Sequence, residues 1–180
     1  EKKLVFIVGP RQVGKTWLVR DLARRQSRDL VEVNLEKRPE IADHFTSNDP
    51  ALIVADLEAD LGVDIRSDRS ILFLDEIQAV PRLLAALRWF YEEMPELPVV
   101  AAGSLLDFAL TEHDFSMPVG RIMYCHVEPV SFFEFLDAAG HEKLRGALAR
   151  AGETGVLSPR LHGRALKLFS EYCVVGGLPE

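Results

Sequence analysis

Three stretches of this chain are apolar without an alternating polar face: residues 4–8 (LVFIV), 71–74 (ILFL) and 97–102 (LPVVAA). Runs of that length, rich in β-branched residues, predict strands buried on both faces. Residues 30–35 (LVEVNL) alternate and predict a half-buried strand, while 122–127 (IMYCHV) alternate only in part and predict a fifth. Between them the spacing changes to three and four. From Lys15 to about Gln26, Leu18, Val19, Leu22 and Ala23 recur on one helical face. Residues 50–61 read as a helix that Gly62 closes. Pro81 suits a first helical turn, after which Leu83, Leu84, Leu87, Phe90, Tyr91 and Met94 mark one face until Pro95. Ser131 and Glu134 stand at capping-box spacing ahead of Phe132, Phe135 and Leu136, and Leu161, Leu168, Phe169 and Tyr172 suggest a last helix.

Buried strands alternating with amphipathic helices imply an α/β fold, a mostly parallel sheet covered on both faces. With 180 residues and 48% hydrophobic content, one domain with a real core is expected. The start at Glu1 without methionine and the stop just after GGLP read as a fragment of a longer chain. No apolar run approaches the ~20 residues of a membrane helix, and no export signal is visible, so the cytoplasm is the default. Cys125 and Cys173 lie too far apart for a zinc motif and read as small core residues. The five histidines have no ligand spacing, and core packing or exposure on a helix surface explains the aromatic run Trp89, Phe90, Tyr91 without a ligand. A net charge of −7 disfavours nucleic acid, and Arg20, Arg24, Arg25 and Arg28 read as a solvated helix face.

The chemistry concentrates where strands end. GPRQVGKT, from Gly9 to Thr16, fits the pattern Gly-x-x-x-x-Gly-Lys-[Ser/Thr] and lies between a predicted strand and a predicted helix, the context that gives the pattern meaning. Gly9 and Gly14 permit backbone turns that a side chain would forbid. The amides of Gln12, Val13, Gly14, Lys15, Thr16 and Trp17 then form a cradle for phosphate oxygens at the positive end of the following helix. Lys15 is placed to reach the β and γ phosphates, and the Thr16 hydroxyl to coordinate Mg²⁺. ATP and Mg²⁺ are the expected ligands. Asp75 ends the apolar run ILFL and is expected to hold the Mg²⁺ shell opposite Thr16, while Glu76 is expected to orient the water that attacks the γ-phosphate. Arg11 either covers the nucleotide or faces solvent.

GPRQVGKT, LFLDEIQAVP, AAGSLL and the Gly120-Arg121 pair together resemble the AAA-like P-loop ATPases of bacteria and archaea, and more narrowly a group of predicted ATPases with a further carboxy-terminal domain of uncertain function. The resemblance extends through PVSFFEF to GGLP. It implies the three-layer P-loop NTPase fold with a five-stranded sheet of order 5-1-4-3-2. It also implies a polar sensor at Ser104, in place of the commoner Asn or Thr; the competing reading is a Gly-Ser turn that caps a helix. Arg121 would stand where an arginine supplies charge to a γ-phosphate, in its own subunit or a neighbour's, or is simply a surface residue.

The leading expectation is Mg²⁺-dependent ATP hydrolysis coupled to movement of a protein or nucleic-acid partner through the missing domain. A nucleotide-gated signalling switch with little turnover is the alternative. A small-molecule kinase fits less well, since no acceptor pocket or arginine-bearing lid is evident. A trans arginine would require a homo-oligomer; no membrane partner is expected.

Overall fold

A computed structural model describes residues 4–104 and 122–178 of the chain. The chain forms two compact units, residues 1–127 and 128–180.

In the first unit the apolar runs become the strands of one sheet: β1 (Leu4–Val8), β2 (Asp29–Asn34), β3 (Ser70–Asp75), β4 (Val99–Gly103) and β5 (Ile122–His126). Every pairing is parallel, and the order is β2-β3-β4-β1-β5, which from the other edge is 5-1-4-3-2. Parallel neighbours need crossovers, and helices supply them: α1 (Lys15–Arg25), α2 (Pro50–Leu61) and α3 (Leu83–Glu93), with 3₁₀ turns at Pro39–Thr46 and Ile77–Ala79. Alternate side chains of one strand enter different cores. Leu72 and Leu74 of β3 join Phe6 and the apolar faces of α2 and α3, while Ile71 and Phe73 join Ile7, Val100, Ala102 and the α1 residues Val19 and Ala23. Helices on both faces of a parallel sheet make three layers.

The predicted face of α1 is only half right. Val19 and Ala23 are buried, but Leu18 and Leu22 are about two-fifths exposed (38% and 41%). Pro81 lies in the turn that leads into α3, which begins two residues later. Asp49 caps α2 through Ala51 N–H, and Gly62 ends that helix in the left-handed region at φ 67°.

The second unit holds α4 (Phe132–Ala138), α5 (Glu142–Thr154) and α6 (Pro159–Val175). The capping box forms: Glu134 N–H donates to Ser131 Oγ, and Ser131 N–H donates to the Glu134 carboxylate. Leu136, Leu144 and Leu168 form the small core, with Phe132 and Phe135 partly buried against it. Of the cysteines, Cys125 is half-buried, but Cys173 is exposed, contrary to the core role expected of it. It lies near the end of α6, where Val174 and Val175 are exposed too.

Candidate functional site

The loop between β1 and α1 is shaped by steric necessity at both glycines. A Cβ on Gly9 would collide with the backbone carbonyl oxygen of Val127, so the strand exit and the end of β5 can approach only without a side chain. Gly14 takes φ 92° as it enters α1, and Gln12 is left-handed at φ 65° despite carrying a side chain. Non-glycine residues rarely adopt that region, and when they do it is at turns and functional loops. Val13 is buried and anchors the loop; Gln12 and Trp17 are exposed, with Trp17 at 65%.

Lys15 and Thr16 open α1 from this turn. The Lys15 side chain is almost fully buried, and its ammonium donates to the carbonyls of Gly9 (2.9 Å) and Pro10 (2.7 Å). Thr16 Oγ1 donates to Asp75 Oδ2 at 3.0 Å, linking the first turn of α1 to the end of β3 across 59 residues of chain. The other Asp75 oxygen accepts the Glu76 N–H at 3.1 Å. Asp75 is 5% exposed. Burial lowers the Lys15 ammonium below its ordinary pKa, with the charges of Glu76 and Asp75 opposing that shift and Arg11 adding to it. Burial likewise raises the Asp75 carboxyl above its ordinary value, against the hydrogen bond from Thr16.

At Glu76 the chain leaves β3 through φ 54°, ψ 45°, another left-handed residue with a side chain. This turn carries it into the 3₁₀ segment Ile77–Ala79. Gln78 Nε2 donates to Glu76 Oε2 in a short contact and lies 3.5 Å from Ser104 Oγ. Ser104 follows β4 directly, so the ends of β1, β3 and β4 meet around one space. Arg121 lies outside the described residues, as does the start of the Leu105 segment that Ser104 would cap.

No motif in the sequence marks Gln78. Its position two residues after Glu76 was visible, but the turn that folds its amide back was not. Arg11 faces solvent and makes a loose ion pair with Glu36 at 3.6 Å. The arginine stretch is engaged internally: Arg20 grips Glu32 with two bonds, Arg24 and Arg25 both pair with Asp21, and Arg28 donates to the Ser70 carbonyl.

A divalent ion could be held by Thr16 Oγ1 and Asp75, which already touch. Among the described residues no group of three or more His, Cys, Asp or Glu gathers for a metal. That donor set suits Mg²⁺, which keeps waters and phosphate oxygens and needs only one or two protein ligands. The narrow turn at Gly9, the left-handed backbone at Gln12 and Gly14 and the buried ammonium fit a polyphosphate beside such an ion. A cavity of ≈ 470 Å³ lies at the opposite end of the sheet, lined by Leu4, Arg28, Tyr91 and Pro98 among others. Ligands of parallel sheets sit at the carboxyl ends of the strands instead, where Gly9, Asp75 and Ser104 are.

Among the described residues no helix is long and apolar enough to cross a membrane. No curated protein matches the chain. A family model described as an AAA domain matches residues 1–136, a span that takes in all five strands and every site residue discussed above. The chain therefore belongs to the AAA domain family, which makes it a nucleotide-binding protein of the ATPase kind.

Proposed function

We propose that this protein binds ATP with Mg²⁺ and hydrolyses the γ-phosphate, and that loss of phosphate moves a partner or a further part of the chain. The observation that carries the reading is the 3.0 Å bond from Thr16 to Asp75 beside the buried Lys15. Two segments far apart in sequence bring an ammonium, a hydroxyl and a carboxylate to one point, and each of them matches one need of a triphosphate tail.

Lys15 gives the β and γ oxygens a positive charge in a place where water screens it poorly. The loop amides around Gln12 to Trp17 bind the remaining oxygens, and Thr16 with Asp75 holds the ion. Mg²⁺ held there would supply further neutralisation of the phosphate charge. Glu76, one residue beyond Asp75, accepts a hydrogen bond from the attacking water and aims its lone pair at phosphorus. Ser104, at the end of the neighbouring strand, contacts the same water or the γ-phosphate. Lys15 and Asp75 are buried, which strengthens the interactions they make.

The test separates binding from chemistry. Glu76→Gln keeps shape and removes the acceptor charge, so phosphate release should fall by about 100-fold or more while MgATP affinity stays near the parental value. Lys15→Ala should abolish binding itself. Equal turnover in Glu76→Gln and the parent would reject the assignment of Glu76.

A further inference from the structure

Gln78 has no part in the chemistry above, yet it touches two of the residues that do. The 3₁₀ turn Ile77–Ala79 brings its amide over the end of β3, where Nε2 donates to the Glu76 carboxylate and reaches 3.5 Å from Ser104 Oγ, the outer limit of a hydrogen bond. The amide's orientation follows from its neighbour. A carboxylate accepts only, so the NH₂ group must face Glu76. The carbonyl oxygen Oε1 is thereby turned inward, fully enclosed and without a hydrogen-bond partner among the described residues. It rests on Gly103, where an added Cβ would stand 2.5 Å from it.

A buried carbonyl oxygen without a donor costs stability, and the arrangement is retained only if the other end of the amide returns something. What it returns is control of Glu76. That side chain is long, half-buried and attracted to the Lys15 ammonium. Left alone, it can swing toward Lys15 or into solvent, and in either place it cannot aim a water.

We propose that Gln78 is a positioning residue for ATP hydrolysis: its NH₂ group fixes the Glu76 carboxylate and couples it to Ser104, and the missing side chain at Gly103 is what lets the amide lie there. This rests on the reading of Glu76 as the residue that orients water, so the experiment treats the two separately.

Phosphate release and MgATP binding by calorimetry are compared for the parent, Glu76→Gln, Gln78→Met, Gly103→Ala, Gln78→Ala, and Gln78→Ala with Gly103→Ala. Methionine keeps the length of glutamine without its donor. Gln78→Met should lower kcat by about 10- to 100-fold, the scale of a displaced catalytic group, with KM and ATP affinity unchanged and a melting temperature at or above the parental one. Gly103→Ala should reproduce that loss, because its methyl group pushes Oε1 away. Combined with Gln78→Ala, it should add nothing.

Parental kcat in Gln78→Met beside an inactive Glu76→Gln would overturn the role of Gln78 and leave hydrolysis by Glu76 standing. Parental kcat in Glu76→Gln would remove both. Losses at Gln78 and Gly103 that multiply, or a Gln78→Met protein that loses ATP affinity or melts early, would make Gln78 a packing residue and likewise overturn the proposal.

Discussion

Asp75 is kept ionised at a cost. Burial raises its pKa, and the bonds from Thr16 and from the Glu76 amide recover only part of the loss. Because the folded pKa lies above the unfolded one, the folded state binds more protons between the two, and stability falls as pH rises through the folded value. The cost is full at neutral pH and vanishes below about 3.9, where both states are protonated. Lys15 carries a matching cost of the other sign: its folded pKa is depressed, so the penalty is present below that value and is relieved only as pH climbs toward the ordinary ammonium pKa. Asp75→Asn can keep both existing contacts, its oxygen accepting from Glu76 N–H and its NH₂ donating to Thr16, whose hydroxyl can reverse roles. This variant should therefore melt at or above the parental temperature at neutral pH, with the difference closing toward about pH 4, while Mg²⁺-dependent ATP binding is lost. Melting several degrees below the parent at neutral pH would show that the carboxylate stabilises the fold instead. The site was legible in the sequence where spacing along the chain dictates the geometry, as from Gly9 to Thr16, or where a strand ends, as at Asp75. Gln78 was not legible, since its contacts depend on the left-handed turn at Glu76, which no residue type there announces.

Among the elements, β3 was the easiest to read, and for a physical reason. All six of its residues are buried, so nothing interrupts the apolar run, and a central parallel strand has no polar face to show. β5 lies at the sheet edge with Met123 and Tyr124 exposed, which accounts for its weak pattern. Helix α5 shows no clear period in the sequence because only Leu144 is buried on it and Gly146 and Gly152 interrupt the stripe. The 3₁₀ turn at Pro39–Thr46 is too short for a period to appear, although Ile41, Ala42 and Phe45 are buried from it. Helix α4 shows the opposite case, in which local chemistry announces a start. With only seven residues it owes much to its cap, where Ser131 and Glu134 satisfy each other's amides. The same contact holds the Glu134 carboxyl below its ordinary pKa, first through the Ser131 amide and then through its hydroxyl. Ser131→Ala should destabilise the second unit by about 0.5–2 kcal/mol, the usual worth of such a cap. Chemical denaturation followed by circular dichroism would measure it, and an unchanged midpoint would show that tertiary packing alone holds α4.

At the scale of the whole molecule, the strand order followed from the resemblance carried by the loop and the acidic pair, but the division near Val127 did not. The sequence there, HVEPVSFFEF, holds no glycine-rich or low-complexity linker, so composition gives no boundary. The two units nevertheless differ sharply in what stabilises them. The first has two large apolar cores, one on each face of the sheet. The second has Leu136, Leu144 and Leu168 buried, and it leaves Leu166, Phe169 and Val174 exposed. A unit of about 50 residues is near the lower limit for independent stability, since it buries too little of its surface. Unfolding should therefore occur in two steps, and a single melting temperature would describe neither. All the described candidate-site residues, from Gly9 to Ser104, belong to the first unit, so nucleotide bound by them would stabilise that unit. At MgATP concentrations about 100 times Kd, ligand binding stabilises the state it selects by about 2.7 kcal/mol. Scanning calorimetry should show the higher transition moving upward with nucleotide while the lower one, from the second unit, stays in place. A single transition, or two that shift together, would show that the units unfold as one body and that nucleotide binding stabilises both.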